Sequence, residues 1–364
     1  MLRRITFVLF SLRGGGAERI VANFASVLSK RFEVTIIQLS DHESFYELPQ
    51  GVHLASYRGI ASGFRRFPTL AIYLRRELSR FKPDVIISFG ENVNPFVLAV
   101  AKLGGHKVVV SNRASPYSSL RGRRGWLNPL LYPIADAVWV QTQRAVEVLA
   151  QRYRGCRWWV IENPIDFPEH VPEDSERQNI CVTVGHLGGQ KNQAVTIRAF
   201  AKVAPADWAL WIVGDGPEKA RLEELSTSLG ISDRIIFMGA VTNVYAVLQQ
   251  AKIFLSASRS EGFPNALAEA MAFGCACVAY DCPTGPAELI DSDQSGLLVE
   301  LDDRNEFERA LEKLIESDGL RTQIGKAARA DISRLAIKNV AGDLIQKLES
   351  VVIGAPYKRR SQND

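Results

Sequence analysis

No apolar run in the 364 residues approaches the roughly 18 consecutive positions that a bilayer-spanning helix needs, so a membrane span is not expected. The basic start and short apolar run of "MLRRITFVLFSLRGGGA" have the outline of a secretory signal. Arg13 interrupts that run, however, no small-residue cleavage site follows, and "ITFVLFSL" suits a buried parallel strand better. Cysteine is scarce and odd in number: Cys156, Cys181, Cys275, Cys277 and Cys282 make no disulfide framework and point to a reducing compartment. The last three lie close together, but no fourth Cys or His stands near them and "CACVAY" alternates like a core strand, so no metal is expected there. A GxGxxG fingerprint is also missing. In "FSLRGGGAERIV", residues 10–21, Arg19 stands where the last glycine would be, which disfavours a Rossmann dehydrogenase.

With 46% hydrophobic and 23% charged residues and no low-complexity tract, the chain has the composition of a globular protein long enough for two domains. Twelve strand-like runs fall into two series: "ITFVLFSL", "EVTIIQLS", "VHLASY", "DVIISF", "KVVVS" and "AVWVQT", then "ICVTVG", "WALWIVG", "RIIFMG", "KIFLSAS", "CVAYD" and "GLLVE". Continuous Val/Ile/Leu runs with amphipathic segments between them imply parallel sheets covered on both faces, and two series imply two doubly wound domains. Residues 162–179, "ENPIDFPEHVPEDSERQN", have the proline- and acid-rich composition of a linker. After "GLLVE" the pattern is helical to about residue 350, and with no sheet left to build, these helices cover a face or return to the first domain.

The net charge of +4 conceals an asymmetry. Residues 1–165 carry 23 Lys/Arg against 11 Asp/Glu, and the remainder carries 21 against 29. The basic half concentrates Arg58, Arg65, Arg66, Arg75, Arg76, Arg80 and Lys82 around Phe64, Phe67, Leu70, Ile72, Tyr73 and Leu74, and a second basic, aromatic run is "RGRRGWLNPLLYPIA". Such a segment reads as a membrane-surface element, each cation contributing about 1 kcal/mol at an anionic bilayer. A solvated helix with its Leu and Ile turned inward is the plainer alternative. Nucleic acid is not expected, because no binding motif accompanies the charge.

The chemistry concentrates in "SRSEGFPNALAEAMAFG", residues 258–274. Gly262 and Pro264 permit a tight turn after "KIFLSAS", and Asn265 is a candidate N-cap, which leaves the amides of the first helical turn free for a phosphate. Glu269 falls about one turn into an otherwise apolar helix, which is therefore buried. An ionised carboxylate accepts from two hydroxyls at once, so it suits a vicinal diol. In "TVGHLGGQKNQ", residues 183–193, a strand ends at Gly185 and Lys191 opens the next helix, where it can reach an anion. "IVGDGPEKARL" repeats strand, glycine turn and helix; for Asp215 a structural turn is the favoured reading. Glu91 and Asn92 follow "DVIISFG" and Arg113 follows "KVVVSN", at strand ends suited to handling an acceptor.

With Glu261 and Glu269 in E-x7-E spacing, and with "VGHLGGQKN", "IVGDGPEKARLEEL", "FMGAVTNV", "DCPTGPAELI" and "GGGAERIVANFA" in this order, the chain resembles the retaining GT-B glycosyltransferases of family 4 over essentially its whole length. The resemblance is most specific over residues 183–299. It implies an α/β GT-B fold in which two Rossmann-like doubly wound parallel-sheet domains face a central cleft, with no cofactor and no obligatory metal. The expected N-terminal acceptor domain is 1–165, the linker 166–178 and the nucleotide-sugar domain 179–344, with a C-terminal helix of about 345–364 packing back on the first domain. Carried over by position, Glu269 would hold the ribose, Lys191 the diphosphate and Glu261 the donor sugar. Lys191 and Glu261 are thus the expected catalytic pair. The backbone of Gly262, Phe263, Asn265, Ala266 and Leu267 would touch sugar or phosphate, Val241 and Thr242 would border the base, and Gly15 and Gly16 would approach the diphosphate. His186 stands where the family usually has arginine; an imidazole lacks the guanidinium fork, so more of the task falls to Lys191 and the helix amides. Asp291 and Asp293 form a DxD only superficially, in what reads as a polar turn.

The expected activity is transfer of a hexose or N-acetylhexosamine from a UDP-linked donor to a polyprenyl-diphosphate-linked or glycan acceptor. The expected location is the cytoplasmic face of the cell membrane, with peripheral attachment to its anionic surface. A GDP-mannose mannosyltransferase and a non-catalytic nucleotide-sugar-binding protein are the alternatives.

Overall fold

The structure is a computed structural model, and it describes residues 1–13, 15–59 and 66–354, without the side chains of Arg66, Arg123 and Arg124. Gly14, Phe64, Arg65 and the tail "YKRRSQND" of the expected C-terminal helix lie outside the described residues.

Two compact units divide the chain: Ile165–Ala336 forms one, and Met1–Pro164 with the chain from Ile337 onward forms the other. The first holds a parallel sheet of β1 (Arg4–Leu9), β2 (Glu33–Gln38), β3 (Val52–Ser56), β4 (Val85–Phe89), β5 (Val108–Ser111), β6 (Ala137–Val140) and β7 (Trp158–Val160), in the order β3-β2-β1-β4-β5-β6-β7. The second sheet comprises β8 (Gln178–Val184), β9 (Ala209–Val213), β10 (Ile235–Gly239), β11 (Ala251–Ser256), β12 (Ala276–Asp281) and β13 (Leu297–Glu300), in the order β10-β9-β8-β11-β12-β13. Every pairing is parallel, and β4, β5 and β6 are buried along their whole length, as continuous apolar strands under helices must be. Twelve of these strands correspond to the apolar runs of the sequence. The thirteenth, β7, is three residues long and carried by Trp158 and Trp159, too short to announce itself by pattern.

Each unit has its own core: Val8, Ile37, Ile86, Val110 and Val138 in the first, Cys181, Ile212, Leu255, Val278 and Phe307 in the second. Doubly wound sheets bind ligands outside their carboxyl strand ends, where the strand order reverses. In the second sheet that point lies between β8 and β11.

Two expected boundaries are corrected. The acid-rich stretch 166–178 is packed into the second unit: Asp174 takes a charge-assisted bond from Arg321 at 3.0 Å, and Arg177 donates to the carbonyls of Ala251 and Pro172. A guanidinium as buried as Arg321, 2% exposed, requires a counter-charge, which is why the acid is not solvated. The returning helix begins at Ile337 rather than near residue 345. Its buried face, Val340, Ala341, Leu344, Leu348 and Val351, packs against the helix Gly16–Leu28, with Arg31 reaching Glu349 at 3.3 Å.

Candidate functional site

Lys191 and Glu261 come from the loops after β8 and β11, the two strands that meet at the order reversal. The turn before Lys191 is closed by its amide donating to the Gly188 carbonyl at 3.0 Å, and Asn192, at φ 54°, bends the chain into the helix Gln193–Val203. The Lys191 ammonium donates to Glu261 Oε1 at 2.6 Å. Their side chains are 27% and 9% exposed, so the pair is largely withdrawn from water and its attraction is stronger than a surface pair's. Gly185, at φ 153°, keeps the lysine's path open: a Cβ there would lie 3.1 Å from Lys191 Cε. Beneath this loop, Gly214 and Gly216 let the turn after β9 approach closely. A Cβ on either would collide with the Gly185 or Leu187 carbonyl. Asp215 accepts from its neighbour's amide, Gly216 N–H, at 2.7 Å, which gives that turn a structural task.

The segment after Glu261 is shaped by proline. Pro264, at φ −82° and ψ 71°, centres an inverse γ-turn in which the Asn265 amide donates to the Phe263 carbonyl at 2.9 Å. This corrects two expectations: Pro264, not Asn265, precedes the helix Asn265–Ala272, and the Asn265 amide is already engaged. The amides of Ala266 and Leu267 make no hydrogen bond among the described residues. Both residues line a cavity of about 10 Å³, one water's worth, together with Lys191, Glu261 and Pro264. Glu269 lies one turn along, 5% exposed, in a helix whose Leu267, Ala268, Ala270, Met271 and Ala272 are buried as its composition implied. Gly262 is half-buried and Phe263 buried, Val241 is half-buried and Thr242 exposed in the loop after β10, and the His186 side chain is exposed.

Residues outside the expected set hold this loop. Thr284 donates its hydroxyl to the Glu261 carbonyl, and Gln190 donates its amide to the Ser260 carbonyl. Gly285, at φ 108°, lies against the Pro264 ring, where a Cβ would come within 2.4 Å of Cδ. The Thr-Gly-Pro sequence at 284–286 was the visible signal, but its target is distant in sequence. Cys282 lies near the pair; burial pushes its thiol up to about 12, Glu261 adding to the rise and Lys191 opposing it.

In the first unit, Glu91 is buried and accepts the backbone amides of Arg113 and Ala114. The Arg113 guanidinium sits 4.1 Å from the Phe89 ring and 4.2 Å from that of Trp139, and it donates to Ser111 Oγ and Asn163 Oδ1, each at 2.6 Å. Burial pushes its pKa below the usual arginine range, while the Glu91 carboxylate works against that fall. These two residues therefore chiefly hold the ends of β4 and β5 together, and Arg113 Nη2 is left buried without a partner among the described residues. Asn92 is exposed. Gly15 precedes the helix that starts at Gly16, and its carbonyl accepts from the Tyr46 hydroxyl at 2.9 Å. A Cβ on Gly15 would fall on the Glu18 carboxylate.

The family model described as Glycosyltransferase Family 4 matches residues 14–167, and the one described as Glycosyl transferases group 1 matches residues 167–331. The chain belongs to glycosyltransferase family 4. This glycosyltransferase is 29% identical over 370 residues, 95% of its own length and 100% of the other's, to the N-acetylgalactosamine-N,N'-diacetylbacillosaminyl-diphospho-undecaprenol 4-alpha-N-acetylgalactosaminyltransferase of Campylobacter jejuni. It is 27% identical over 274 residues to the lipopolysaccharide 1,6-galactosyltransferase of Escherichia coli, over 72% of its own length and 74% of the other's. Among solved structures, Anabaena HepE in complex with UDP aligns with a TM-score of 0.81 at 18% identity, covering 95% of this chain and 100% of that one. The two parallel Rossmann-like sheets of the glycosyltransferase are those of the GT-B fold. No helix among the described residues is long and apolar enough to cross a membrane, and none of them gather three His, Cys, Asp or Glu side chains as a metal group. Asp291 and Asp293 lie in a turn, where the Asp293 amide donates to the Gly296 carbonyl.

Proposed function

We propose that this glycosyltransferase moves a hexose or N-acetylhexosamine, with retention, from a UDP-linked sugar to a polyprenyl-diphosphate-linked or polysaccharide acceptor in cell-surface glycan synthesis. The observation that carries the proposal is the Lys191–Glu261 pair beside the open Ala266 and Leu267 amides, with buried Glu269 one turn further along. Amides at a helix start and an ammonium suit a diphosphate; they stabilise the charge that accumulates on the leaving nucleoside diphosphate with no metal required in the scheme. Glu269 accepts from the ribose hydroxyls and Glu261 from the sugar hydroxyls. On the acceptor side, Arg113 Nη2 is the donor still to be satisfied. The polyprenyl-diphosphate acceptor and the N-acetylhexosamine draw support from the activity for which the Campylobacter relative is named.

Peripheral attachment to the inner leaflet of the cell membrane is part of the same proposal. The helix Arg66–Phe81 exposes Ile72 and Phe67 beside Arg75, Arg76 and Arg80, while Leu70, Leu74 and Leu78 face the core. Trp126 and Leu130 are exposed in the second basic run.

The test is a panel of UDP-, GDP- and ADP-sugars with a polyprenyl-diphosphate acceptor, following nucleoside diphosphate release with and without EDTA. Turnover with a UDP-sugar, unchanged by chelator and giving an α-linked product from an α-linked donor, is expected. Turnover only with GDP-mannose would replace the donor assignment. No turnover with any donor, or activity lost to EDTA and restored by metal, would overturn the proposal.

A further inference from the structure

Resting on the donor reading above, we infer that Glu261 makes the site discriminate the intact nucleotide sugar from the spent nucleoside diphosphate, by competing with the diphosphate for Lys191. Among the described residues, Lys191 is the one partner of the Glu261 carboxylate. A carboxylate 9% exposed needs a compensating donor in every state of the site. With the site empty, that donor is the ammonium at 2.6 Å.

A diphosphate arriving at the Ala266 and Leu267 amides draws Lys191 toward itself, and Glu261 then loses its cation. An intact nucleotide sugar repairs the loss, because its sugar hydroxyls donate to the vacated carboxylate. A nucleoside diphosphate carries no such hydroxyls, so its hold on Lys191 leaves Glu261 buried and unpaired. After transfer, Glu261 takes Lys191 back and the product is released. The exchange requires only side-chain rotation, since Thr284 fixes the Glu261 carbonyl and the turn closed on Gly188 fixes the Lys191 backbone.

The test is calorimetric titration of UDP, GDP and ADP, and of the matching nucleotide sugars, into the full chain as wild type, Glu261→Gln, Lys191→Met and the double variant, each checked for folding by its melting curve. Glu261→Gln keeps the shape and removes the charge. It is expected to bind the nucleoside diphosphate about tenfold tighter than wild type, the recovered part of one charge-assisted hydrogen bond, while its preference for the nucleotide sugar over the diphosphate shrinks. In turnover, the same variant becomes more sensitive to inhibition by nucleoside diphosphate. The Lys191→Met background decides the cause. If Glu261 acts by competing for the lysine, Glu261→Gln no longer tightens diphosphate binding there; if it merely repels the phosphates, the tightening persists and the inference fails. Unchanged or weaker diphosphate binding by Glu261→Gln, with wild type binding normally, also overturns the inference and leaves the donor reading standing. Absence of binding by wild type with all three bases overturns both.

Discussion

Gly285→Ala tests the dependence of the site on a residue that touches no substrate in the proposed scheme. The added methyl lies 2.4 Å from Pro264 Cδ and 3.0 Å from Cγ, against a ring that cannot rotate away. The backbone at φ 108° and ψ −58° is one that a residue with a Cβ adopts at a cost of about 1–3 kcal/mol. Relieving the collision adds about 1–3 kcal/mol, as other small-to-large changes in packed regions do. The sum, about 2–6 kcal/mol, lowers the melting temperature of the second unit by roughly 4–24 °C at about 2–4 °C per kcal/mol. Part of the strain is relieved by displacing Pro264, which shifts the Ala266 and Leu267 amides and weakens nucleoside diphosphate binding. Differential scanning calorimetry and titration with nucleoside diphosphate measure the two effects. Gly319→Ala is the internal control: that glycine is helical with nothing within 4 Å of a Cβ, and alanine there should stabilise by about 0.5–1 kcal/mol. A Gly285→Ala protein that melts and binds like wild type would refute the reasoning from contact geometry.

Removing the carboxylate in Asp174→Ala takes from the buried Arg321 guanidinium the more buried of its two carboxylate partners and leaves it Asp318 and the Leu314 and Ile315 carbonyls, so chemical denaturation should show a loss of about 1.5–3 kcal/mol in the second unit. Native-state thiol labelling should reach Cys156 first, since the other four cysteines are buried. Burial pushes the Cys156 thiol up to about 11, so its thiolate fraction, and the labelling rate, should keep rising about tenfold per pH unit from pH 7 to 10. A plateau near pH 9, read by mass spectrometry, would contradict that environment. Replacing exposed Ile72 and Arg75 together by glutamate should abolish co-sedimentation with anionic vesicles, leaving turnover on a water-soluble acceptor intact; undiminished sedimentation would remove the helix Arg66–Phe81 from the membrane proposal.

What the sequence disclosed follows from which interactions are local. "ICVTVG" and "KIFLSAS" read as strands because a parallel strand covered on both faces is a continuous apolar run, and Glu269 read as buried because its helix neighbours are apolar. That Lys191 and Glu261 bond to each other was not legible. Their contact, across 70 residues of sequence, depends on β8 and β11 lying side by side, and chain order does not state that adjacency. Asn265 looked like a cap by residue type, but the fixed φ of Pro264 imposed a γ-turn one position earlier. The stretch 166–178 read as a linker because the cation that claims Asp174 is Arg321, 147 residues away. Glu91 and Arg113 stood out by their strand-end positions, and nothing local showed that the Glu91 carboxylate would accept from the Arg113 amide.

The connection between the units carries a consequence for synthesis. Ile165 donates its amide to the Leu335 carbonyl and bridges Ala336, so the chain enters and leaves the second unit at one point. The helix that completes the first unit, Ile337–Ile353, is made only after the whole of Ile165–Ala336. At about 5–20 residues per second, the helix Gly16–Leu28 waits roughly 15–60 seconds on the ribosome for the partner that covers it. In the cell, the first half of this protein to be made is thus the last to be finished, and its exposed apolar helix face during that interval is where a chaperone would be needed.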